Sequence, residues 1–334
     1  MNWSAVKNLL IGILVAANLF LVFNIARQDR ARGYIDDDEV LGAVELLAER
    51  GLEVPPECIP REKFKAPVYE SLYSDEYYTK AAEALSASPR EVLLSLPNGG
   101  FSITSQNGAV TEFDAEFGFT YSKYNNFDVV AYNEITAENF ASEAVLWDDV
   151  TSSRLITMEK RAEEFLGLCT GDSGVLAAVV TDSYFDSERG FTYLLARQVL
   201  GGYTIYSHYA VCVFENDELI YAGGRWYFAP IDEDYQTELV DQVNILFSDL
   251  SELNAGSAQG FALSEETPHD TEMPSDAFPG DAVLSAVRNM QAVYAIYWNA
   301  DKSAIYFIPA WQIDHSDGMT LVYNATNSTI YARK

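Results

Sequence analysis

The residues that could do chemistry in this sequence are few and widely scattered. The stretch Gly171-Asp172-Ser173-Gly174 imitates the surroundings of a nucleophilic serine. A serine of that kind needs a histidine base, and the sequence has no histidine before His208. Glycine, aspartate and serine are also the residues that end helices and form turns. The stretch is therefore interpreted as a helix end followed by a turn.

The three histidines do not have the spacing of a metal site. His208 is predicted in the middle of a strand, His269 in an acidic linker, and His315 at the start of a turn. Neither an HExxH motif nor a glycine-rich phosphate loop occurs. Carboxylates are abundant, and two of them could act as the acid and base of glycoside hydrolysis. A hydrolase of the cell envelope, held at the membrane, therefore stays an alternative. The sequence favours a protein without enzymatic activity, cofactor or metal.

The strongest functional signal is an apolar run close to the N-terminus. It extends from Leu9 to Phe23 and contains no charged residue. The uncharged stretch between Lys7 and Arg27 is close in length to the ~20 residues that a helix needs to cross a hydrocarbon core, so we predict a transmembrane anchor. A cleaved secretory signal is the alternative, but cleavage after Ala26 would place Asn24 where a small residue is needed.

The charges that flank the predicted anchor do not decide its orientation. Lys7 and the α-amino group precede it, whereas Arg27, Arg30 and Arg32 follow it. Long domains cross the membrane largely regardless of such charges. Because the rest of the chain is long and acidic, we expect a cytoplasmic N-terminus, a single pass through the cell membrane, and an extracytoplasmic bulk.

One face of the predicted anchor carries small residues. Gly12 and Ala16 lie about one helical turn apart and form a ridge that suits close contact with another helix. Asn18 lies almost on the opposite side, where it would make a separate polar contact. We predict that Gly12, Ala16 and Asn18 contact a partner helix. Since glycine and alanine are common in such helices, a chance arrangement is the alternative.

Composition limits the classes of partner. The 334 residues include 50 acidic and 21 basic side chains, giving a net charge of −29, and 49% are hydrophobic. That hydrophobic fraction is typical of a folded protein. Nucleic acid is excluded as a partner because phosphate binding depends on Lys and Arg. Cys58, Cys169 and Cys212 are too widely spaced for a disulfide framework or a zinc site.

The part after the anchor is predicted to be an α+β fold, with antiparallel sheets flanked by helices. One helix is predicted to begin at Asp36 and to end at Gly51. A single strand is predicted over 113–121, where apolar and acidic residues alternate. After Met158 the pattern indicates a helix and then about four short strands, and the helix predicted over 282–288 begins the same order again. This shared outline suggests two repeated helix-plus-meander units. A longer predicted helix between them has Leu239, Val243, Leu246, Phe247 and Leu250 on one stripe.

These elements divide the chain into four segments. Residues 1–33 comprise a cytoplasmic tail, the transmembrane anchor and a connector, and residues 34–150 form an N-terminal α+β domain. Residues 151–255 form a middle helix-plus-meander domain. Residues 256–334 form a linker and a C-terminal helix-plus-meander domain.

Two local predictions concern the region between the last two domains. Residues 251–280 are rich in Ser, Glu, Pro and Gly and have little periodicity, so we interpret them as a loop or linker. A short helix is predicted to follow over 282–288.

The two ends of the chain resemble a known family. The opening Met1-Asn2-Trp3-Ser4-Ala5-Val6-Lys7 leads directly into the apolar run. This start is similar to that of YycI-type regulatory proteins, which begin Met-Asp/Asn-Trp-Ser-x-x-Lys before a single transmembrane helix. Near the other end, Pro309-Ala310-Trp311-Gln312-Ile313 and Tyr323-Asn324-Ala325 are similar to the pattern P-x-W-x-I…Y-x-N-A of YycI, YycH and PepSY-like strands. In that pattern one residue separates Tyr from Asn, whereas Tyr323 and Asn324 are adjacent here.

The resemblance implies an extracytoplasmic, PepSY/YycI-like protein that modulates the WalK/WalR (YycG/YycF) two-component system of cell-wall homeostasis. It implies that contact with the sensor histidine kinase runs largely through the transmembrane helix, in the lipid bilayer, and that the protein has no enzymatic activity. The sign of regulation, a YycH-like co-partner, and a role for residues 61–150 are left open.

A tethered module that binds a peptide or a wall fragment is the alternative function. The sequence contains 21 tyrosines. Together with the predicted strands over 204–214 and 303–313, they could line a groove or offer a sheet edge to an extended ligand.

Overall fold

The structure is a computed structural model of an α+β fold with a large, mostly antiparallel sheet, in agreement with the predicted class. It describes residues 33–72, 80–81, 85, 94–95, 100–105, 108–114, 117–124, 149–168, 174–186, 189–260, 285–299 and 304–334. No helix within these ranges is long and apolar enough to cross a membrane. The predicted anchor falls in residues 1–32, which lie outside the described ranges.

The described strands come in runs along the chain, and an α-helix precedes β1, β7 and β12. The α-helices are α1 (Asp37–Ala48), α2 (Asp149–Leu168) and α3 (Gln242–Gly260). The strands are β1 (Leu52–Glu53), β2 (Val68–Leu72), β3 (Leu94–Ser95), β4 (Phe101–Thr104), β5 (Val110–Phe113), β6 (Gly118–Ser122), β7 (Leu176–Asp186), β8 (Phe191–Leu200), β9 (Tyr203–Glu215), β10 (Glu218–Arg225), β11 (Asp232–Tyr235), β12 (Ser285–Trp298), β13 (Ala304–His315), β14 (Thr320–Asn324) and β15 (Ile330–Arg333). A 3₁₀ helix spans Pro56–Cys58.

These elements belong to two compact units. Unit 1 contains the described residues of Met1–Lys65, Glu238–Ala292 and Ala310–Lys334. Unit 2 contains those of Ala66–Thr237 and Val293–Pro309. Strands β12 and β13 contribute residues to both units. The predicted boundaries at residues 33, 150 and 255 stay predictions.

Helix α1 of unit 1 begins and ends as predicted. The carboxylate of Asp36, the N-cap residue, accepts a hydrogen bond from the Asp38 amide at 3.1 Å. Acidic residues fill the first turn, where they favour the helix dipole. Gly51 follows the helix at φ +89°, a left-handed conformation that glycine adopts without strain. Val40 and Leu47 are fully buried and fix the helix against the unit.

The rest of unit 1 contains strand β1, helix α3 and the strands of the C-terminal part of the chain. Strand β1 pairs in parallel with the start of β12, through Leu52 and Ser285. The end of β13 pairs with β14, and β14 with β15, in antiparallel fashion. Helix α3 buries Val243, Leu246 and Leu250, as its apolar stripe predicts. Leu239, predicted on the same stripe, precedes the first helical residue.

The sheet of unit 2 contains the meander β7-β8-β9-β10, in which each strand is antiparallel to the next. From β10 it continues through β6, β5, β4 and β3, and from β9 through β12, β13, β2 and β11. The contact of β12 with β9 is parallel. Tyr193, Leu195, Val211, Val213 and Ile220 form a buried cluster on the meander.

The single strand predicted over 113–121 is two strands joined by a hairpin. Strands β5 and β6 are antiparallel, and Phe113 lies opposite Phe119. The Asp114 carboxylate accepts from the Gly118 amide at 2.8 Å and holds the turn. The prediction was wrong because Phe113, Phe117 and Phe119 are all buried, so apolar alternation continues through the turn and conceals it.

Two predictions about the region before β12 were also wrong. Helix α3 continues to Gly260, so residues 251–260 are helical and not part of a linker. Residues 285–288, predicted as part of a helix, open the extended strand β12. Ser285 and Val287 are buried on alternate positions, which is the strand period, and the short window had favoured helix. Residues 261–284 lie outside the described ranges.

Candidate functional site

Several residues singled out from the sequence lie outside the described part of the chain. Gly12, Ala16 and Asn18, the predicted contacts to a partner helix, belong to residues 1–32. His269 and residues 171–173 of the Gly-Asp-Ser-Gly stretch lie outside it as well. The described chemistry-bearing residues instead form two buried polar groups, one in each unit.

The first group, the Asp249 cluster, consists of Asp249, His315, Ser285 and Tyr323 in unit 1. Oδ1 of Asp249 accepts a hydrogen bond from the Tyr323 hydroxyl at 2.9 Å. The same oxygen lies 3.4 Å from Nε2 of His315. Nδ1 of His315 lies 3.0 Å from the Ser285 hydroxyl. Four elements thus converge here: α3, the end of β13, the start of β12, and β14.

The Asp249 cluster contains serine, histidine and aspartate, but it differs from a hydrolytic triad. In a triad the serine contacts Nε2 of the histidine and the carboxylate contacts Nδ1. Here the two nitrogens have exchanged partners. Ser285 is 7% exposed, His315 2% and Asp249 0%, so substrate cannot reach the serine in this conformation. The arrangement suits a role in holding four elements together.

Two buried polar atoms of the Asp249 cluster lack a hydrogen-bond partner among the described residues. They are Oδ2 of Asp249 and Nε2 of His315. Burial raises the pKa of the Tyr323 hydroxyl, and the nearby Asp249 carboxylate raises it further. The phenol therefore stays protonated and available as a donor. A buried carboxylate that loses such a donor is strongly destabilising, so the cluster tolerates little change.

The second group, the His208 network, lies in unit 2 and contains His208, Gln198, Tyr227 and Ser71. Oε1 of Gln198 accepts from Nδ1 of His208 at 3.1 Å and from the Tyr227 amide at 2.9 Å. Nε2 of Gln198 donates to the Tyr227 carbonyl at 2.7 Å. The Tyr227 hydroxyl donates to Ser71, whose own hydroxyl donates to the Pro230 carbonyl. The network ties β8, β9 and β2 to the segment after β10.

A bulge places His208 in this network. Arg197 on β8 lies opposite Tyr209 on β9, and Val199 lies opposite Thr204, so β9 has extra residues between these two pairs. Ser207, one of the extra residues, adopts φ +63°. A bulge of this kind re-aims a side chain inward. Burial, with the neighbouring Arg225 guanidinium, lowers the pKa of His208 to about 3, so the imidazole is neutral in the fold.

Phe117 covers the His208 network from the β5–β6 hairpin. Its ring centroid lies 5.7 Å from that of His208 and 5.4 Å from that of Tyr227. It also stacks on Trp298, at 5.3 Å with 11° between the planes. Phe117 adopts φ +68°, a strained conformation for an aromatic residue, and its carbonyl accepts from the Trp226 amide at 2.8 Å. Packing and this hydrogen bond maintain the strained turn.

The described ranges contain no group of three or more His, Cys, Asp or Glu side chains arranged for a metal ion. Cys58 and Cys212 are free thiols, and Cys169 lies outside the described residues. Burial raises the pKa of the Cys212 thiol to about 12, as expected of a small core residue.

Sequence reasoning missed the Asp249 cluster, although one signal was present. Gln242 and Asp249 lie two turns apart on the same side of the helical pattern as Leu246, and both are fully buried. Two polar residues on an apolar stripe indicate buried partners. His315 was predicted only as the start of a turn; it does accept there, from the Gly318 amide at 3.2 Å, but its ring lies in the core.

Comparison with known proteins adds little to this geometry. No family model matches the chain, and no curated protein matches it. One similar solved structure is the crystal structure of an uncharacterized protein from Eubacterium rectale ATCC 33656. That chain is 10% identical, the match covers 89% of this chain and 99% of that one, and the TM-score is 0.46. A likeness at this level carries no argument about function.

Proposed function

We propose that the chain is a membrane-anchored, extracytoplasmic regulator that modulates a WalK-like sensor histidine kinase, in the manner of YycI-type proteins, and that it is not an enzyme. The observation that carries the proposal is the opening Met1–Lys7 followed directly by the apolar run from Leu9 to Phe23. In this proposal the ridge of Gly12 and Ala16 packs against a helix of the kinase.

The buried polar groups support a structural role for the outer part. In the Asp249 cluster and the His208 network, the side chains best suited to acid–base chemistry are bonded to other elements of the fold. His208 is 5% exposed and His315 2%. Groups buried in this way fix the relative positions of strands and helices, which a regulator that acts through its own conformation requires.

The element order supports a duplicated helix-plus-meander architecture. Helix α2 is followed by the strands β7 to β11, and helix α3 by β12 to β15. The described helix that precedes β12 is α3, and not the one predicted over 282–288. Strands β7 to β10 pair in chain order, and so do β13 to β15. We include this duplication in the proposal as the origin of the two similar outlines in the sequence.

Photocrosslinking in intact membranes tests the proposal. A photoreactive residue is placed at position 12, and position 18 provides the comparison on the other face of the predicted helix. We expect a single crosslinked product with a histidine kinase from position 12. Crosslinks to lipid alone from both positions would make the helix a simple tether and would refute the regulatory contact. Replacing residues 9–23 with an unrelated membrane helix should abolish regulation of the kinase.

A second candidate function is capture of an extended peptide or wall fragment by a sheet edge. The two strands predicted for this role do not offer an edge: β9 pairs with β8 and β10, and β13 with β2 and β14. Strand β7 instead pairs only with β8 among the described strands, and Val179 on it is 41% exposed. On this strand the Val180 amide donates to Oε1 of Glu163 on helix α2 at 3.1 Å, so in this proposal an added strand pairs with the rest of the β7 edge.

Truncation separates the two candidates. A chain that begins at Tyr34 keeps every described strand but lacks the predicted anchor. If this truncated chain, supplied outside the membrane, restored full regulation, ligand capture would replace the anchor-mediated mechanism. Loss of regulation, together with a kinase crosslink from position 12 in the full chain, favours the first proposal.

A further inference from the structure

The first described residues after the predicted anchor are paired with another segment of unit 1. An antiparallel bridge joins Tyr34 to Glu62. Beside it, the Ile35 amide donates to the Arg61 carbonyl at 2.9 Å. We call these four residues the membrane-proximal bridge, because two of them, Tyr34 and Ile35, are the first described pair of residues after the predicted anchor and its connector. A movement of residues 60–62 therefore acts on Tyr34 and Ile35, which follow the connector after the predicted anchor.

Gln242, the first residue of helix α3, holds the membrane-proximal bridge from inside. Its side-chain Nε2 donates to the carbonyls of Pro60 and Glu62, at 2.5 and 3.2 Å. The Gln242 side chain is fully buried, so water does not replace these bonds. The residues just before the helix are fixed as well, since the Val240 amide donates to the Ala325 carbonyl at 2.6 Å.

Asp249 lies two turns further along the same helix, about 10 Å along the axis. It faces the same side as Gln242, and both side chains are 0% exposed. Asp249 is bonded to Tyr323 on β14 and lies beside His315 at the end of β13. Helix α3 thus contacts the C-terminal strands through Asp249 and the membrane-proximal bridge through Gln242.

We propose that the first two turns of helix α3 couple the packing of strands β13 and β14, through Asp249, to the membrane-proximal bridge, through Gln242. A helix turn is stiff, because each residue is hydrogen-bonded to the next turn, so a shift at Asp249 displaces Gln242 as well. The inference rests on the proposed function only for its purpose: it supplies a route by which an event at the C-terminal strands reaches the predicted anchor.

Amide hydrogen exchange on the purified full chain tests the coupling. The variant Tyr323→Phe removes only the hydroxyl that donates to Asp249. We expect exchange of the Ile35 amide to increase about fivefold or more, the lower end of ordinary coupling between sites. Exchange at Cys212, in unit 2, should not change. Faster exchange of the amide at position 323 without any change at Ile35 would overturn the proposal.

A second variant, at the Gln242 end of the coupling, tests it in the opposite direction. Coupling between two sites is reciprocal, so Gln242→Leu should raise exchange at Tyr323 by a similar factor. Asp38→Asn provides a control, because Asp38 is exposed on α1 and its loss removes one charge from the same unit. An effect of Asp38→Asn as large as that of Tyr323→Phe would show general loosening and would count against the coupling.

The coupling and the proposed function can fail separately. Exchange is measured without a kinase, so coupled exchange with no kinase crosslink from position 12 would leave the coupling intact and remove the regulatory contact. A kinase crosslink with uncoupled exchange would remove only the role of α3.

Discussion

The hydroxyl of Tyr323 donates a hydrogen bond to the buried carboxylate of Asp249 across 2.9 Å, and this bond joins strand β14 to helix α3. Both residues are at most 1% exposed. The bond therefore satisfies a carboxyl oxygen that water cannot reach.

Loss of this bond should be costly. We expect Tyr323→Phe to lower the free energy of unfolding by about 1–3 kcal/mol, because the buried Oδ1 of Asp249 loses its hydrogen-bond donor. Urea unfolding measures the change. Tyr34→Phe is the matched control, since Tyr34 is 53% exposed, and it should leave stability unchanged. Equal effects of the two variants would contradict the importance of the bond.

The buried imidazole of His208 predicts a dependence of stability on acidity. Its pKa is about 3 in the fold and about 6.5 in an unfolded chain, so between these values only the unfolded state binds the proton. The stabilisation is complete above about pH 6.5 and decreases as the pH falls toward 3, by at most roughly 1.4 kcal/mol per unit.

Urea unfolding between pH 7 and pH 4 tests this dependence against His208→Gln. The glutamine cannot take up a proton, so the variant should lack this part of the slope, while other titrating groups contribute equally to both proteins. Parallel stability curves for the two proteins would show that His208 does not contribute to the acid dependence.

The backbone of Phe117 predicts a reversal of the usual order of glycine and alanine. Both substitutions remove the ring that stacks on Trp298 and contacts His208. Only glycine adopts φ +68° without strain, so Phe117→Gly should be more stable than Phe117→Ala by about 1 kcal/mol. Thermal or urea unfolding of both variants decides the matter; the ordinary order, with alanine more stable, would indicate that the turn relaxes once the ring is absent.

Two glycines offer a matched pair of substitutions. A Cβ on Gly224 would collide with the backbone carbonyl of Tyr209 on the neighbouring strand, so Gly224→Ala should cost about 3 kcal/mol. A Cβ on Gly42, exposed in helix α1, would meet nothing within 4 Å, so Gly42→Ala should stabilise the protein by about 1 kcal/mol. Unfolding midpoints that move in the same direction for both would contradict the strand geometry.

The sequence predicted those parts of the fold whose signals are local. The charge and capping pattern around Asp36 predicted α1, and Asn216 and Asp217, both with positive φ, form the turn expected between β9 and β10. The hairpin at Asp114 was hidden, because apolar alternation has the same period along a strand and across a tight turn. A pattern read along the chain does not record where the chain reverses.

The Asp249 cluster could not be assembled from the sequence for a different reason. Ser285 and His315 belong to neighbouring strands, whereas Asp249 is on a helix and Tyr323 on a third strand. No spacing rule connects residues that meet only through tertiary packing. Buried polar positions on the apolar stripe of α3 indicated that partners existed, but not which ones.

The pairing of β1 with β12 has a consequence for how the protein is made. Leu52 lies opposite Ser285, so this contact waits until most of the chain has left the ribosome. Within the meander β7 to β10, by contrast, each pairing joins two strands that are consecutive in sequence, so these pairings can form early. Until β14 is synthesised, Asp249 lacks the hydrogen bond from Tyr323. A chain that is interrupted late in synthesis would therefore carry a folded meander beside an incomplete unit 1, with its apolar helix faces open to aggregation.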